Sequence, residues 1–190
     1  MIRIGILGDI GSGKSFIAKL FGYPVFNADQ EVSRLYHNDK KIYAKLQKKL
    51  PNYIESFPIK KQEISKAILS KNSNLKYIVK IVHSEIRKKM KFFINKNKQK
   101  KIIILDIPLL LENRINNKKD VLIFVDSKKS EILKRLKKRK NFNGTLLKKF
   151  KKIQLPLAYK MNKSDFIIKN DFTKKTVKKE INYILKKILK

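Results

Sequence analysis

The octet Gly8-Asp9-Ile10-Gly11-Ser12-Gly13-Lys14-Ser15 constrains the fold of this chain more than any other stretch. The protein holds six glycines, and four of them, Gly5, Gly8, Gly11 and Gly13, fall within nine positions. An ordered glycine costs backbone entropy, so the cluster marks a place where β-carbons would obstruct a close approach to the main chain. The apolar run "IRIGIL" precedes the octet and reads as a buried strand, while "KSFIAKLFG" behind it reads as a helix closing at Gly22. The octet matches G-x-x-x-x-G-K-[ST], the turn whose amides are directed at a bound anion.

Each residue type in that pattern has a task. Glycines let successive N–H groups wrap phosphates, Lys14 reaches the terminal phosphates, and the Ser15 hydroxyl holds Mg²⁺. The following helix adds its positive amino end. Gly8, Asp9, Ile10, Gly11, Ser12, Gly13, Lys14, Ser15 and Phe16 are therefore the expected nucleotide contacts. Asp9 is the anomaly. A carboxylate facing phosphates would oppose their binding, so its side chain is expected to point away, toward solvent or a nearby lysine.

The rest of the chain alternates strands with helices. "YPVFNAD" reads as a short strand, with helical text from Asp29 to Leu50. Residues 60 to 98 read as helix, with Ile64, Ile68, Leu75, Ile78, Val82 and Ile86 at helical spacing. "KIIILD" and "DVLIFVD" are unbroken apolar runs of the kind found in central parallel strands, and Ser127 stands where it could cap the next helix. "SDFIIKN" reads as a last strand. In the final helix Val177, Ile181, Ile184 and Ile188 share a face. The expected fold is α/β: three layers, a five-stranded parallel sheet and two helical excursions in the manner of nucleotide kinases. We expect one domain over 1–190, with a core of 1–34, 99–134 and 161–190, an acceptor-binding insertion over 35–98 and a lid over 135–160.

Composition narrows the setting. There is no cysteine, which excludes disulfides and thiolate metal sites and suits a reducing compartment. The longest apolar stretch, "IIILDIPLLL", is interrupted by Asp106 and Pro108 and falls far short of the roughly 20 residues that span a bilayer. A cytoplasmic protein without membrane attachment is expected. Lys and Arg number 48 against 15 Asp and Glu, a net charge of +33. Such a field attracts polyanions at low salt. The basic residues are mostly lysines spread along the chain, however, rather than gathered with arginine and aromatics on one face, so no specific nucleic-acid partner is expected.

Several residues outside the loop carry chemistry, each with a plainer alternative. Asp106 ends an apolar strand, where a carboxylate would orient magnesium, or where it would simply close the strand. Asp29 opens a helix, as a base for an acceptor hydroxyl or as a helix cap. Arg135 and Arg139 lie four apart on one helix face, as phosphate-gripping lid residues or as a solvated basic face. His37 and His83 have no metal-ligand companions in the sequence, and His83 suits a hydrogen-bonded structural role.

In order and spacing these segments resemble the dephospho-CoA kinase family over nearly the whole chain. "GDIGSGKS" is similar to its phosphate loop and "VFNADQEVSRLY" to its Asp-Ala-Asp segment. "IVHSEI" resembles its His-Pro helix, "LDIPLLLEN" its Pro-Leu-Leu-x-Glu segment, "QLP" its Gln-x-Pro, and "SDFIIKN" its last strand. The resemblance implies that Asp29 is the general base, that Lys14 and Arg139 act on the transferred phosphate, and that Ser15 and Asp106 hold Mg²⁺. Arg135 and Asn170 would join the ATP side. Arg34, Lys61, His83, Pro108, Leu109, Leu110 and Glu112 would join Asp29 on the acceptor side.

The chain departs from the family pattern at Asn27, where the first aspartate of the motif is usual, and at Ser84 in place of proline. Lys61 stands where arginine is usual. Arg34 is one position later than the motif's basic residue, at the place of Ser33, a rotation of roughly 100° on a helix. The implied reaction is phosphorylation of the ribose 3′-hydroxyl of dephospho-CoA by MgATP, performed by a monomer. Another nucleoside-monophosphate-type kinase and a basic nucleic-acid-associated ATPase are the alternatives.

Overall fold

The computed structural model describes residues 1–139 and 142–190. Residues 140 and 141, inside the lid expected over 135–160, lie outside the described residues. Packing divides the chain into two compact units. One comprises Met1–Asn27, Lys96–Phe142 and Lys151–Lys190, and the other Ala28–Asn95 and Asn143–Phe150.

The first unit is built on five parallel strands, β1 (Ile2–Gly8), β2 (Val25–Asn27), β3 (Ile102–Asp106), β4 (Val121–Asp126) and β5 (Phe166–Lys169), in the order β2-β3-β1-β4-β5. Its helices are α1 (Lys14–Leu20), α6 (Lys129–Lys137), α8 (Leu157–Asn162) and α9 (Lys174–Ile188). Burial on both faces explains why β1, β3 and β4 read as continuous apolar runs rather than alternating ones. One face gathers Ile4, Ile6, Ile102, Ile104, Ile123, Val125 and Ile168 against Ile17 of α1 and Val177, Ile181 and Ile184 of α9. On the other face Gly5 leaves room for Leu110 and Leu122, whose methyl carbons would lie 2.6 and 3.0 Å from a β-carbon there. At the start of β1, Arg3 pairs at 2.8 Å with the buried Asp120, fastening the sheet end remote from the glycine loop.

The second unit is helical: α2 (Ala28–Asn38), α3 (Lys40–Lys49), α4 (Lys61–Ser70) and α5 (Asn72–Lys96), with most of α7 (Gly144–Lys152). The expected single helix from Asp29 to Leu50 is two. Asp39 leaves the helical conformation (φ −102°, ψ 96°), and its carboxylate accepts the amides of Lys41 and Ile42 at 2.9 and 3.0 Å, ending one helix and capping the next. The helix expected over 60–98 is likewise broken, at Lys71, whose backbone is extended. Lys149 of α7 donates to the carbonyls of Ile68 and Leu69 at 2.8 and 3.0 Å, which satisfies orphan acceptors at the end of α4. The apolar stripe of Ile64, Ile68, Leu75, Ile78, Val82 and Ile86 is buried throughout. Among the described residues no helix is long and apolar enough to cross a membrane.

Candidate active site

The glycine loop lies at the carboxyl end of β1, between strands β3 and β4. In it Lys14, buried at the first position of α1, folds back and donates to the carbonyl oxygens of Asp9 at 2.7 Å and Gly8 at 3.3 Å. This holds the ammonium over the loop with its stem desolvated. Gly13 takes a left-handed conformation (φ 92°), which a side chain disfavours, and a β-carbon there would lie 2.5 Å from Asn170 Nδ2. The same holds at Gly8, where a β-carbon would meet Ser12 Oγ at 2.7 Å and the Val125 carbonyl at 2.8 Å. The glycines thus answer to the protein packed against the loop, a reason for the cluster that the sequence did not disclose.

Two side chains from distant parts of the chain secure the loop's back. Asn170, 5% exposed, donates to the Ser12 carbonyl at 2.7 Å, and Ser127 Oγ donates to the same oxygen at 2.9 Å. Ser127 was expected as a helix cap. The cap of α6 is instead Lys128, without a side-chain bond, and the Ser127 hydroxyl is committed to the loop. Beyond Asn170, Phe172 lies under the Arg135 guanidinium, 4.2 Å from it to the ring centroid. Arg139 and Phe16 are exposed, and Ile10 is partly so.

Beside Ser15, β2 and β3 pair Asn27 with Asp106 in register. The Asn27 amide donates to Asp106 Oδ2 and lies 3.4 Å from Ser15 Oγ, so one amide joins the two oxygens proposed for magnesium. Asp106 is buried and Ser15 exposed. Among the described residues no three His, Cys, Asp or Glu side chains cluster as a metal cage. One carboxylate and one hydroxyl beside a phosphate loop fit Mg²⁺, which keeps waters and takes its remaining ligands from substrate phosphates.

Asp9 is buried. Its Oδ1 accepts the Ile10 amide at 2.7 Å and its Oδ2 lies 3.4 Å from Lys151 Nζ. Of the two directions expected for this side chain, the lysine is the one taken.

In the segment after β3, two of the acceptor-side candidates turn inward. Leu110 is fully buried, and the Glu112 carboxylate pairs at 2.5 Å with Lys160, itself 1% exposed, while accepting the Leu155 amide at 3.0 Å. Pro108 and Leu109 are partly exposed. No local pattern marks Lys160 or Lys151 among the 48 basic residues, and both were missed.

The remaining acceptor-side candidates lie in the second unit. Asp29 is the second residue of α2, exposed and inside the first turn rather than preceding it as a cap. Arg34 is paired with Glu31, which also lies 3.6 Å from Lys89. Lys61 opens α4 and is exposed. His83 is half-buried on α5, where burial first and the Arg87 charge second lower its pKa from the ordinary 6.5. It is thus disposed to be neutral.

The family model for dephospho-CoA kinase matches residues 2–176. A protein named dephospho-CoA kinase from Wolbachia sp. subsp. Brugia malayi is 37% identical, with 96% of this chain and 95% of the relative covered. The fold is shared with a Thermus thermophilus protein of known crystal structure at a TM-score of 0.78 and 22% identity, covering 100% of this chain and 98% of that one. It is shared also with the dephospho-CoA kinase from Campylobacter jejuni at 0.63 and 20%, covering 98% and 96%. On a family match that takes in both the glycine loop and the helical insertion, the chain belongs to the dephospho-CoA kinase family.

Proposed function

We propose that this chain transfers the γ-phosphoryl group of ATP to the ribose 3′-hydroxyl of dephospho-CoA, releasing coenzyme A and ADP. The observation that carries the proposal is the loop itself, with a buried Lys14 held on its carbonyls and Ser15, Asn27 and Asp106 gathered at its edge.

Lys14 exchanges its carbonyl partners for phosphate oxygens and takes up charge that grows on the bridging and terminal oxygens. Asn170 and Ser127 hold the Ser12 carbonyl back, which keeps the loop amides directed at the phosphates. Ser15 and Asp106 would hold Mg²⁺, with Asn27 fixing the orientation of both. Bound there, the ion would supply positive charge to the nucleotide phosphates. Asp29 accepts the proton of the acceptor hydroxyl as its oxygen bonds to phosphorus and the bond to ADP breaks. Arg135 and Arg139 supply further positive charge. Arg34, Lys61 and His83 serve the acceptor, whose anionic groups the charge of +33 also favours. The remaining parts of the proposal are a monomer, a cytoplasmic location and no specific nucleic-acid partner.

The test is ADP release from MgATP across a panel of acceptors: dephospho-CoA, nucleoside monophosphates, RNA and none. Turnover should require dephospho-CoA. A rate no higher with dephospho-CoA than without it would refute the proposal, and stimulation by RNA or a monophosphate would replace it.

A further inference from the structure

The phosphate loop of this chain carries a carboxylate at Asp9, where a small neutral residue would leave the loop free of negative charge. We propose that Lys151 is a positioning residue of the nucleotide site: by pairing with Asp9 it cancels that charge and so allows the loop to accept a polyphosphate. This rests on the assignment of the loop to a nucleotide.

Three observations support it. First, the carboxylate has little freedom, because its side chain is only 10% exposed and Oδ1 is engaged by the Ile10 amide at 2.7 Å. It stays in the loop and its charge must be met there. Second, Lys151 Nζ lies 3.4 Å from the other oxygen, Oδ2, on a side chain 45% exposed that can follow the charge as the loop adjusts. Third, residue 9 also carries Lys14, through its carbonyl oxygen at 2.7 Å. A displaced Asp9 would therefore shift the ammonium that meets the phosphates. Only the lysine of this pair is half-exposed and screened by water, so its removal leaves a buried carboxylate that opposes an arriving anion.

Titration calorimetry of ADP with magnesium, which needs no acceptor, tests the proposal. Lys151→Ala should bind ADP about tenfold more weakly than the unaltered chain, the scale of one uncompensated like charge roughly 10 Å from the ligand at an effective dielectric constant of about 20. Asp9→Asn keeps an acceptor for the Ile10 amide but removes the charge, so the double variant Asp9→Asn with Lys151→Ala should recover most of the lost affinity.

Equal binding by Lys151→Ala and the unaltered chain would overturn the proposal. So would a double variant as weak as Lys151→Ala alone, which would mean that Lys151 meets the phosphates itself. Failure of the unaltered chain to bind ADP at all would instead overturn the nucleotide assignment beneath it.

Discussion

Glu112 offers the sharpest separation between a residue that touches substrate and one that holds the fold. Its carboxylate pairs at 2.5 Å with Lys160, and the two side chains are 8% and 1% exposed. Glu112→Gln keeps an oxygen for the Leu155 amide but leaves a buried ammonium without its counter-charge. Breaking a buried ion pair from one side costs about 3–5 kcal/mol, because the remaining charge is neither solvated nor paired. A chain of this size loses roughly 2–4 °C of melting temperature per kcal/mol, so the midpoint should fall by about 6–20 °C. Circular dichroism melts and urea titrations measure this directly. Lys160→Met should be destabilised to a similar degree, while Glu112→Leu combined with Lys160→Met should recover most of the loss, since apolar side chains of similar volume need no counter-charge. A Glu112→Gln protein that melts within about 2 °C of the unaltered chain, yet loses affinity for dephospho-CoA, would mean that Glu112 serves the acceptor rather than the fold.

Three further outcomes are expected. Asp29→Asn should bind ADP normally while kcat falls by roughly 10²–10⁴, the range for loss of a general base, and a near-normal kcat would reduce Asp29 to a favourable charge in the first turn of α2. Gly13→Ala should cost about 1–2 kcal/mol for its left-handed backbone and should push Asn170 off the Ser12 carbonyl. Urea titration and ADP affinity should both register this, and no change in either would contradict the geometry. Burial and Arg87 lower the His83 pKa below its unfolded value, so folding favours the neutral ring. The stability this contributes is complete above the ordinary value of 6.5 and declines as pH falls through that value toward the lowered one. His83→Gln should therefore lose less stability than the unaltered chain between about pH 7 and pH 5, and parallel curves for the two proteins would remove His83 from the account.

Much of this protein is legible in one dimension. The glycine loop is read from eight consecutive residues because its chemistry is made by neighbouring amides. The strands are read from runs such as "IIILD" because burial on both faces demands continuous apolar character. The helices of the second unit were legible as helix but not as four separate helices. The break at Asp39 depends on one carboxylate turning back to two amides, and that at Lys71 on a single extended residue.

Pairing between distant residues is settled by folding alone. Asn27, at first only a departure from the family pattern, becomes the amide that joins Asp106 to Ser15 once β2 and β3 are in register. Ser127 could cap a helix locally, yet it bonds to Ser12, 115 positions away, because β4 ends beside the loop. Lys151 and Lys160 cannot be told from the other basic residues by type or spacing. Each is distinguished by the carboxylate that folding brings to it, Asp9 for one and Glu112 for the other. Chemistry carried by adjacent residues is written in sequence order, whereas a charge acquires its meaning from its burial and its partner, and both are set by chain folding.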